Sequence, residues 1–458
     1  MGKTQQAAKA DIIVAGAGPS GCAAAIAAAR MGARVLLIER YGFAGGMNTS
    51  ALVGPLMTFH AGKLQIIRGI AQEIIDRLVE MGGSLGHIPD PLGVASSITP
   101  VDSEYLKLVY GDLLAGAGVD TLFHSFIHSL DREGRQIKGI HWVNKGGGGS
   151  SGPGYFIDAT GDGDLAALGA MDFFEGRESD GLAQPMTLIF KMGGVDIARI
   201  KEAMTAEPSQ FVLDSGITDI KNMPYLAVSG FFRAVEEARR RTEFSIPRDR
   251  VLLFQGLRPG EVLINMTRVL NRRATEATGL SAAEGEGRRQ AAETIAFLKK
   301  YIPGFAESFL IALGTQIGVR ESRRIRGRIC VTGEDIRRGS SFPDSIALGA
   351  FPIDIHDPGG KELDWKPGDR NNCYEIPYRA MYGEPGNLLV TGRCISATHE
   401  AMASIRISAT AMALGQAAGT AAALAASRGI DVDRLDPELL QKELLRQGAV
   451  PRKDLRNS

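Results

Sequence analysis

The stretch DIIVAGAGPSG, residues 11–21, decides the fold of this chain. Its first half is apolar enough for a buried strand, and Gly16, Gly18 and Gly21 then follow in a G-x-G-x-x-G pattern before an alanine-rich segment. The first glycine permits a tight turn, the second lets the backbone approach a pyrophosphate, and the third lets a helix pack closely on a strand. Pro19 suits the first turn of that helix. The pattern predicts a strand, a turn and a helix whose N-terminus binds phosphate.

The next apolar run, ARVLLIE, ends at Glu39. A carboxylate at this spacing is the group that binds the ribose diol of a dinucleotide. Both runs are almost continuously apolar, which is typical of a parallel sheet covered on both faces. We therefore predict an α/β fold with a Rossmann-type dinucleotide-binding domain. The alternative is a glycine-rich turn followed by an ordinary surface glutamate, and NAD and FAD both use this element.

Composition narrows the class of protein. The 458 residues suit two or three domains, and the 52 basic residues equal the 52 acidic ones, so no overall field attracts nucleic acid or another polyanion. The four cysteines have no Cys-x-x-Cys spacing, which argues against zinc, iron–sulfur and disulfide sites. No metal site is expected. The first ten residues lack an apolar signal core, and we expect a cytoplasmic protein.

An alanine-rich helix predicted over residues 401–427 resembles a membrane span. Arg406 and Gln416 would be costly in hydrocarbon, so a buried helix of a soluble protein is the better interpretation, without membrane insertion. Other helices are predicted over residues 66–81, 102–117, 197–205, 230–241 and 281–300, and strands over 121–130, 137–144, 155–159, 186–191, 262–266 and 387–391. The run GGGGSSGPG (146–154) is predicted to be a long hairpin turn.

These elements suggest three parts. The dinucleotide-binding domain is assembled from residues 1–184 and 386–430, and a discontinuous α+β substrate domain covers residues 185–385. Residues 431–458 are expected to form a surface helix and a polar tail. The glycine pattern does not recur, so a separate NAD(P)H domain is not expected.

Five further motifs carry a resemblance to a known family. They are ERYGFAGGMNT (39–49), IDATGDGDLA (157–166), GVRESRRIRG (318–327), YEIPYRAM (374–381) and NLLVTGRCISATHEAMASIRISATAMALGQAAG (387–419). Over most of its length the chain resembles the bacterial family called FAD-dependent oxidoreductase, within the glutathione-reductase-like flavoprotein superfamily. The resemblance implies FAD as the cofactor and a glutathione-reductase-like form of the FAD-binding domain.

The resemblance also implies most of a cofactor site. Residues matching Gly45 and Gly46 pass close to the pyrophosphate, and a flexible turn is the alternative. The corner at Ala159 either closes the site or is a structural hairpin return. By the family's pattern, the backbone of Ile127 meets the adenine. The position of Arg393 is one where many flavoproteins carry Asp, and this arginine is expected to pair with a phosphate. The helix that follows points its N-terminus at the flavin pyrimidine. The predicted cofactor-binding residues are Gly16, Gly18, Pro19, Ser20, Gly21, Glu39, Arg40, Gly45, Gly46, Met47, Ile127, Ala159, Thr160, Gly161, Asp162, Gly392, Arg393, Ser404 and Ile405.

Catalysis at a flavin usually also needs a base for the substrate proton. His399 is the leading candidate, His60 the second and His356 the third, although a lone histidine is more often structural. Arg320 or Arg323 is a candidate clamp for a substrate carboxylate. The favoured interpretation of the arginine-rich run around them is an ion-pair network that joins the two domains.

The predicted reaction is hydride transfer from a C–O, C–N or C–C bond of a small-molecule substrate to flavin N5. The electron acceptor is left open among oxygen, a quinone and an electron-transfer protein, and a homo-oligomer is also left open. Three alternatives remain: a non-redox flavoenzyme such as an isomerase or lyase, an NAD-dependent dehydrogenase using the same glycine turn, and a nucleotide-binding module that serves assembly.

Overall fold

A computed structural model describes residues 5–6, 10–357, 364–365 and 369–455. The helices are α1 (Pro19–Arg30), α2 (Met47–Ser50), α3 (Ile70–Glu80), α4 (Ser103–Gly116), α5 (Asp164–Leu168), α6 (Ile197–Ala206), α7 (Phe232–Arg240), α8 (Ala277–Tyr301), α9 (Gly333–Arg338), α10 (His399–Ile405), α11 (Ser408–Arg428) and α12 (Pro437–Arg446). The strands are β1 (Gln5–Gln6), β2 (Ile12–Ala15), β3 (Val35–Ile38), β4 (Leu56–Met57), β5 (His60–Ala61), β6 (Leu64–Gln65), β7 (Ile88–Pro89), β8 (Ser97–Thr99), β9 (Asp120–Leu122), β10 (Phe126–Glu133), β11 (Gln136–Asn144), β12 (Gly147–Ser151), β13 (Tyr155–Asp158), β14 (Phe173–Glu175), β15 (Phe190–Gly193), β16 (Ala227–Gly230), β17 (Val251–Gln255), β18 (Val262–Ile264), β19 (Phe309–Leu313), β20 (Arg323–Ile325), β21 (Ser345–Gly349), β22 (Asp354–Ile355), β23 (Asp364–Trp365), β24 (Tyr374–Pro377) and β25 (Leu388–Val390).

The centre of the molecule is a parallel sheet with strand order β25-β13-β2-β3-β9. β2 is paired along its whole length with β3 on one side and β13 on the other, both in parallel register. Every residue of β2 and β3 is buried, as expected for a sheet covered on both faces. The predicted mixed α/β fold with a parallel sheet is confirmed.

The backbones of helices α1 and α11 approach each other closely where the two helices pack together. A Cβ added to Gly415 would lie 2.0 Å from the carbonyl oxygen of Ser20, and one added to Gly419 would lie 2.0 Å from that of Ala24. Only glycine permits such an approach of two backbones. α11 is long and apolar enough to cross a membrane, yet 89% of that stretch is buried inside the protein.

The single helix predicted over residues 401–427 is wrong, because the chain breaks it into α10 and α11. Ile407, between the two, has an extended backbone with φ −67° and ψ 139°. The break places the N-terminus of α11, and not that of α10, against the central cavity described below.

A second, antiparallel sheet has strand order β16-β17-β18-β15-β19 and its own apolar core within residues 186–319. Ile336, Ile346 and Tyr378 instead belong to the core around the parallel sheet, as do Leu440 and Leu444 of α12. By packing, therefore, the second unit ends near residue 320 and not at the predicted 385. Helix α12, which was expected to lie on the surface, buries one face, including Leu440 and Leu444, in this core.

The predicted hairpin turn over residues 146–154 is also wrong, since it contains the strand β12. β12 pairs antiparallel with β11 and parallel with β1. A Cβ on Gly149 would lie 2.4 Å from the buried indole of Trp142, so the glycine-rich composition makes room for this ring within a sheet. Asp102, at the start of the helix predicted over residues 102–117, caps α4 by accepting a hydrogen bond from the backbone N–H of Glu104 at 2.7 Å.

Candidate active site

The glycine motif forms the predicted turn between β2 and α1. Gly16 has φ +92°, a conformation that side chains other than hydrogen rarely allow. A Cβ on Gly21 would lie 1.8 Å from the carbonyl oxygen of Gly16, so the start of the helix rests directly on the turn. A Cβ on Gly18 would meet no protein atom within 4 Å. The turn therefore presents Gly18 to open space.

Glu39 closes this turn from the end of β3. It is only 7% exposed, and its two carboxylate oxygens accept hydrogen bonds from the backbone N–H groups of Ala17 at 2.7 Å and Tyr41 at 2.9 Å. A carboxylate oxygen has more than one acceptor position, so Glu39 keeps capacity for a ribose hydroxyl. Arg40 beside it donates to Gln316 at 3.1 Å.

A cavity of about 480 Å³ begins at this turn and extends to the antiparallel sheet. Most of the predicted cofactor residues line it: Gly16, Gly18, Pro19, Ser20, Glu39, Arg40, Gly46, Met47, Ala159, Thr160, Gly161, Gly392 and Arg393. The N-terminal residues of α11, Ile407 and Ser408, line it as well. The free N–H groups of this helix end therefore face the cavity.

Six predicted cofactor residues lie outside the cavity wall. Gly21 and Gly45 lie next to residues of the wall. Gly21 packs on Gly16, and the N–H of Gly45 donates to the carbonyl of Ala17 at 2.7 Å. Ile127 lies in β10, opposite Trp142. The other three are Asp162, whose carboxylate accepts from Arg393, Ser404, whose hydroxyl is bonded to Tyr374 and Phe351, and the buried Ile405. Ser404 and Ile405 lie outside the wall because the helix breaks after them, and Ile407 and Ser408 line the cavity instead.

The residues at the turn fit the pyrophosphate of a dinucleotide. Gly46 passes so close to Gly18 that a Cβ on it would lie 2.7 Å from the Gly18 Cα. Arg393 donates from Nη2 to Asp162 at 2.9 Å, while its Nη1 is buried without a hydrogen-bond partner. We call the part of the cavity around Gly16, Gly18, Gly46 and Arg393 the glycine cradle. The unpaired, buried guanidinium nitrogen in this cradle is a donor that a phosphate oxygen would satisfy.

The other end of the cavity is built by residues from distant parts of the chain. Arg248 and Arg250 come from the segment just before β17, Arg320 from the segment before β20, and Arg406 from the helix break. Asp354 and His356 complete the polar part, and apolar side chains including Ile189, Leu252 and Phe254 form the remaining surface. No site role is predicted from the sequence for Arg248, Asp354 or Arg406. Arg248 and Asp354 lie outside the family motifs, and Arg406, within the 387–419 motif, enters the prediction only as a charge in the alanine-rich helix.

The three candidate histidines occupy different environments. His399 is buried away from the cavity, with Nδ1 2.9 Å from a carboxylate oxygen of Glu321. His60 also lies outside the wall, with Nδ1 3.0 Å from the Ser97 hydroxyl, and burial lowers its pKa. His356, the third candidate, lines the cavity, and its Nε2 is 3.2 Å from Asp354.

The charges around His356 keep it neutral. Burial and the nearby guanidinium of Arg320 lower the pKa of His356 to about 3, against the smaller opposing effect of Asp354. Burial alone would raise the pKa of Asp354, but the hydrogen bond from His356 and the positive charges of Arg406 and Arg320 outweigh it, so the net pKa is lowered. Asp354 is thus an anion and His356 an uncharged imidazole over the physiological range.

Of the two candidate clamp residues, only Arg320 lines the cavity. It donates to the carbonyl of Pro185 at 2.6 Å and to the hydroxyl of Thr187 at 2.5 Å. Arg323 lies outside the wall and donates to Asp164 at 3.1 Å. The neighbouring Arg324 forms a buried ion pair with Glu321 at 2.8 Å.

A family model described as FAD dependent oxidoreductase matches residues 11–444. The chain belongs to the FAD dependent oxidoreductase family. This confirms that it is an oxidoreductase enzyme with FAD as its cofactor, and the glycine cradle and Arg393 fit that cofactor.

The chain is similar to solved structures of flavoenzymes at low sequence identity. One is the flavin-dependent brominase Bmp2, at a TM-score of 0.50 and 13% identity over 96% of this chain and 84% of that chain. Another is p-nitrophenol 4-monooxygenase PnpA from Pseudomonas putida DLL-E4, at a TM-score of 0.49 and 10% identity over 97% and 85% of the two chains. No functionally curated protein matches the sequence.

Proposed function

We propose that this FAD-dependent oxidoreductase oxidises a small molecule by transferring a hydride from a C–O, C–N or C–C bond to N5 of the flavin. The observation that carries the proposal is the single cavity, which joins the glycine cradle at Gly18 to a chamber containing His356 and Arg320. A substrate in that chamber would share an enclosed space with the cofactor, as a direct transfer requires.

The parallel sheet, the turn at Gly16 and the carboxylate of Glu39 support a Rossmann-type FAD-binding domain of the glutathione-reductase-like class. In this proposal the antiparallel sheet carries the substrate domain. A cytoplasmic location, a small-molecule substrate, and the absence of nucleic-acid binding and of membrane insertion remain part of the proposal. The electron acceptor and a homo-oligomeric state stay open.

The chain's own residues would bind the cofactor and manage the proton. The turn before α1 and Arg393 would hold the pyrophosphate, and Glu39 the ribose. The N-terminus of α11 would favour negative charge on the pyrimidine side of the ring. When bound, FAD supplies a two-electron acceptor. His356 is neutral and oriented by Asp354, so it is able to accept the proton that the substrate loses.

Replacing His356 with Gln is expected to lower kcat about 100-fold or more, the usual contribution of a positioned base. The reason is that His356 is the candidate histidine in the cavity wall. Steady-state kinetics on the flavin-loaded variant measures the effect. His141→Gln is the matched control, because His141 is a half-buried strand residue bonded to Asp131, outside the wall. Loss of activity in His399→Gln but not in His356→Gln would restore His399 as the base.

The pH dependence of kcat/KM gives a second check on His356. Its active form is the neutral one, and its pKa in the free protein is lowered from 6.5 to about 3. As the pH falls through 6.5, kcat/KM should therefore stay level, and it should decline only near the lowered pKa. A decline centred on 6.5 that does not follow the protonation of the substrate itself would contradict the assignment, since it would indicate a base with an ordinary environment.

The proposed reaction itself is tested by mixing the purified, flavin-loaded protein with candidate substrates without oxygen and recording the visible spectrum. Bleaching of the flavin bands by a substrate alone supports direct oxidation. Net conversion without any acceptor would instead indicate a non-redox isomerase or lyase. A requirement for both NADPH and oxygen would indicate a monooxygenase. Flavin that no substrate bleaches would favour a binding module.

A further inference from the structure

Three arginines at the chamber end of the cavity lack sufficient counter-charge. Arg248, Arg320 and Arg406 all line the wall. Among the described residues, no carboxylate lies within 4 Å of a guanidinium nitrogen of Arg248 or Arg320, and Arg406 has only Asp354, at 3.4 Å. Buried cations are normally paired, so this arrangement needs an explanation.

The hydrogen bonds of these arginines are also incomplete. Arg248 is only 3% exposed and donates from Nη2 to the backbone and side-chain oxygens of Asn265, at 3.2 and 3.4 Å. Its Nε is buried without a partner, and so is the Nε of Arg406. Each guanidinium has five N–H donors, and leaving them buried and unsatisfied destabilises the protein. The two unpaired Nε groups belong to the chamber and not to the glycine cradle.

The three charges also repel one another. Burial and the like charges of Arg406 and Arg248 hold the pKa of Arg320 well below its usual range. Burial, with a smaller contribution from Arg268, lowers the pKa of Arg248 to about 10. Three guanidiniums face one carboxylate, that of Asp354, while His356 is neutral. Among the residues that the structure describes, two positive charges therefore stay uncompensated.

The remaining charged groups of the wall do not supply the missing charge. Arg250 is paired with Asp249 at 2.6 Å. Asp90 already accepts hydrogen bonds from the backbone N–H groups of Leu92, Val94 and Ala95 at 2.9–3.0 Å. Glu39, Arg40 and Arg393 belong to the glycine cradle at the other end, where the pyrophosphate would sit.

We propose that the substrate of this enzyme is a small organic dianion whose anionic groups pair with Arg248, Arg320 and Arg406. The inference rests on the proposed function and specifies its substrate class. Two carboxylates would balance the two uncompensated charges and satisfy the unpaired Nε groups with bidentate contacts. A phosphate monoester offers the same charge. The carbon skeleton would contact the apolar surface formed by Ile189, Leu252 and Phe254.

The test measures ligand binding to the oxidised holoenzyme, by perturbation of the flavin absorption and by calorimetry. The probes are malonate, succinate and glutarate, the neutral analogue succinamide, phosphoglycolate and inorganic phosphate. We expect at least one dianion to bind and succinamide not to bind. Arg248→Met removes one charged partner of the dianion and should therefore weaken dianion binding about 10- to 100-fold. Arg233→Met is the matched control, since this arginine is exposed and pairs with Glu207.

The binding results distinguish the kinds of anion and show whether the site binds a dianion. Tighter binding of phosphoglycolate than of every dicarboxylate would identify phosphate as the source of the charge. Equal binding of succinate and succinamide, or no dianion binding, would overturn the proposal. A midpoint potential that falls in Arg248→Met while dianion affinity is unchanged would assign the arginines to the reduced flavin instead.

Two further readouts separate the causes of failure. The melting temperature of Arg248→Met should be unchanged or higher, because an uncompensated buried charge is removed; a large decrease would indicate a purely structural arginine and overturn the proposal. The flavin content of each sample is measured independently. Full flavin content with no dianion binding overturns the substrate class alone, whereas dianion binding without substrate-dependent bleaching overturns the proposed oxidation and not the anion site.

Discussion

Gly21→Ala is expected to weaken FAD binding strongly. The new Cβ would lie 1.8 Å from the carbonyl oxygen of Gly16 and 3.1 Å from the Cβ of Ala159, and both neighbours belong to the cradle. The start of α1 would have to move away from the turn, which displaces the N–H groups that face the phosphate. Overpacking typically costs about 1–3 kcal/mol, and the misplaced donors add to it, so FAD affinity should fall about 100-fold or more. Titration of apoprotein with FAD measures the loss.

Two matched glycines separate folding from binding. Gly18→Ala adds a methyl that meets no protein atom within 4 Å, so its apoprotein should melt like the wild type and still bind FAD more weakly. Gly111→Ala, in α4, also meets nothing within 4 Å and should leave FAD affinity unchanged. Wild-type affinity in Gly21→Ala would show that the cradle tolerates the shift and would contradict the assigned cofactor site.

Glu321→Ala is expected to destabilise the fold by about 3–5 kcal/mol, the range for removing one partner of a buried ion pair. Arg324 is fully buried, and its Nη1 donates to Glu321 at 2.8 Å. The same carboxylate accepts from the N–H of Gln184 at 3.0 Å and contacts Nδ1 of His399 at 2.9 Å. The substitution leaves all three without their acceptor. The midpoint of urea unfolding reports the change.

Glu334→Ala is the control for Glu321→Ala. Glu334 pairs with Arg337 at 3.2 Å, but both side chains are about half exposed, so its loss should cost less than about 1 kcal/mol. If the two variants shift the midpoint equally, the buried cluster around Glu321 stabilises the fold no more than an exposed ion pair does. That result would contradict the predicted ion-pair network in this part of the chain.

The parts of the site that the sequence predicts are local. The turn at Gly16, the start of α1 and Glu39 lie within thirty residues, and their spacing alone determines their geometry. The capping of α4 by Asp102 is local in the same sense. Short-range steric rules are sufficient for such features, which is why the cradle was predictable without knowledge of the tertiary structure.

The chamber end was not predictable, because its residues meet only through long-range packing. Arg248 and Arg406 are separated by more than 150 residues; Arg248 lies in no motif, and the motif that contains Arg406 does not indicate that it meets Arg248. His399 ranked above His356 from its position before an apparent helix. The break at Ile407 and the carboxylate of Glu321 turn His399 away from the cavity, and neither is visible in a local pattern.

The two helices in contact, α1 and α11, are synthesised at very different times. α1 is complete after thirty residues, but the helix that covers it and the edge strand β25 follow residue 387. A ribosome releases the N-terminal part first, so the glycine turn exists as nascent chain long before its partner is made. Because Gly392, Arg393 and Ser408 line the cavity, we expect FAD to be captured only after this late segment has emerged. A chain truncated before α11 is accordingly expected to be colourless.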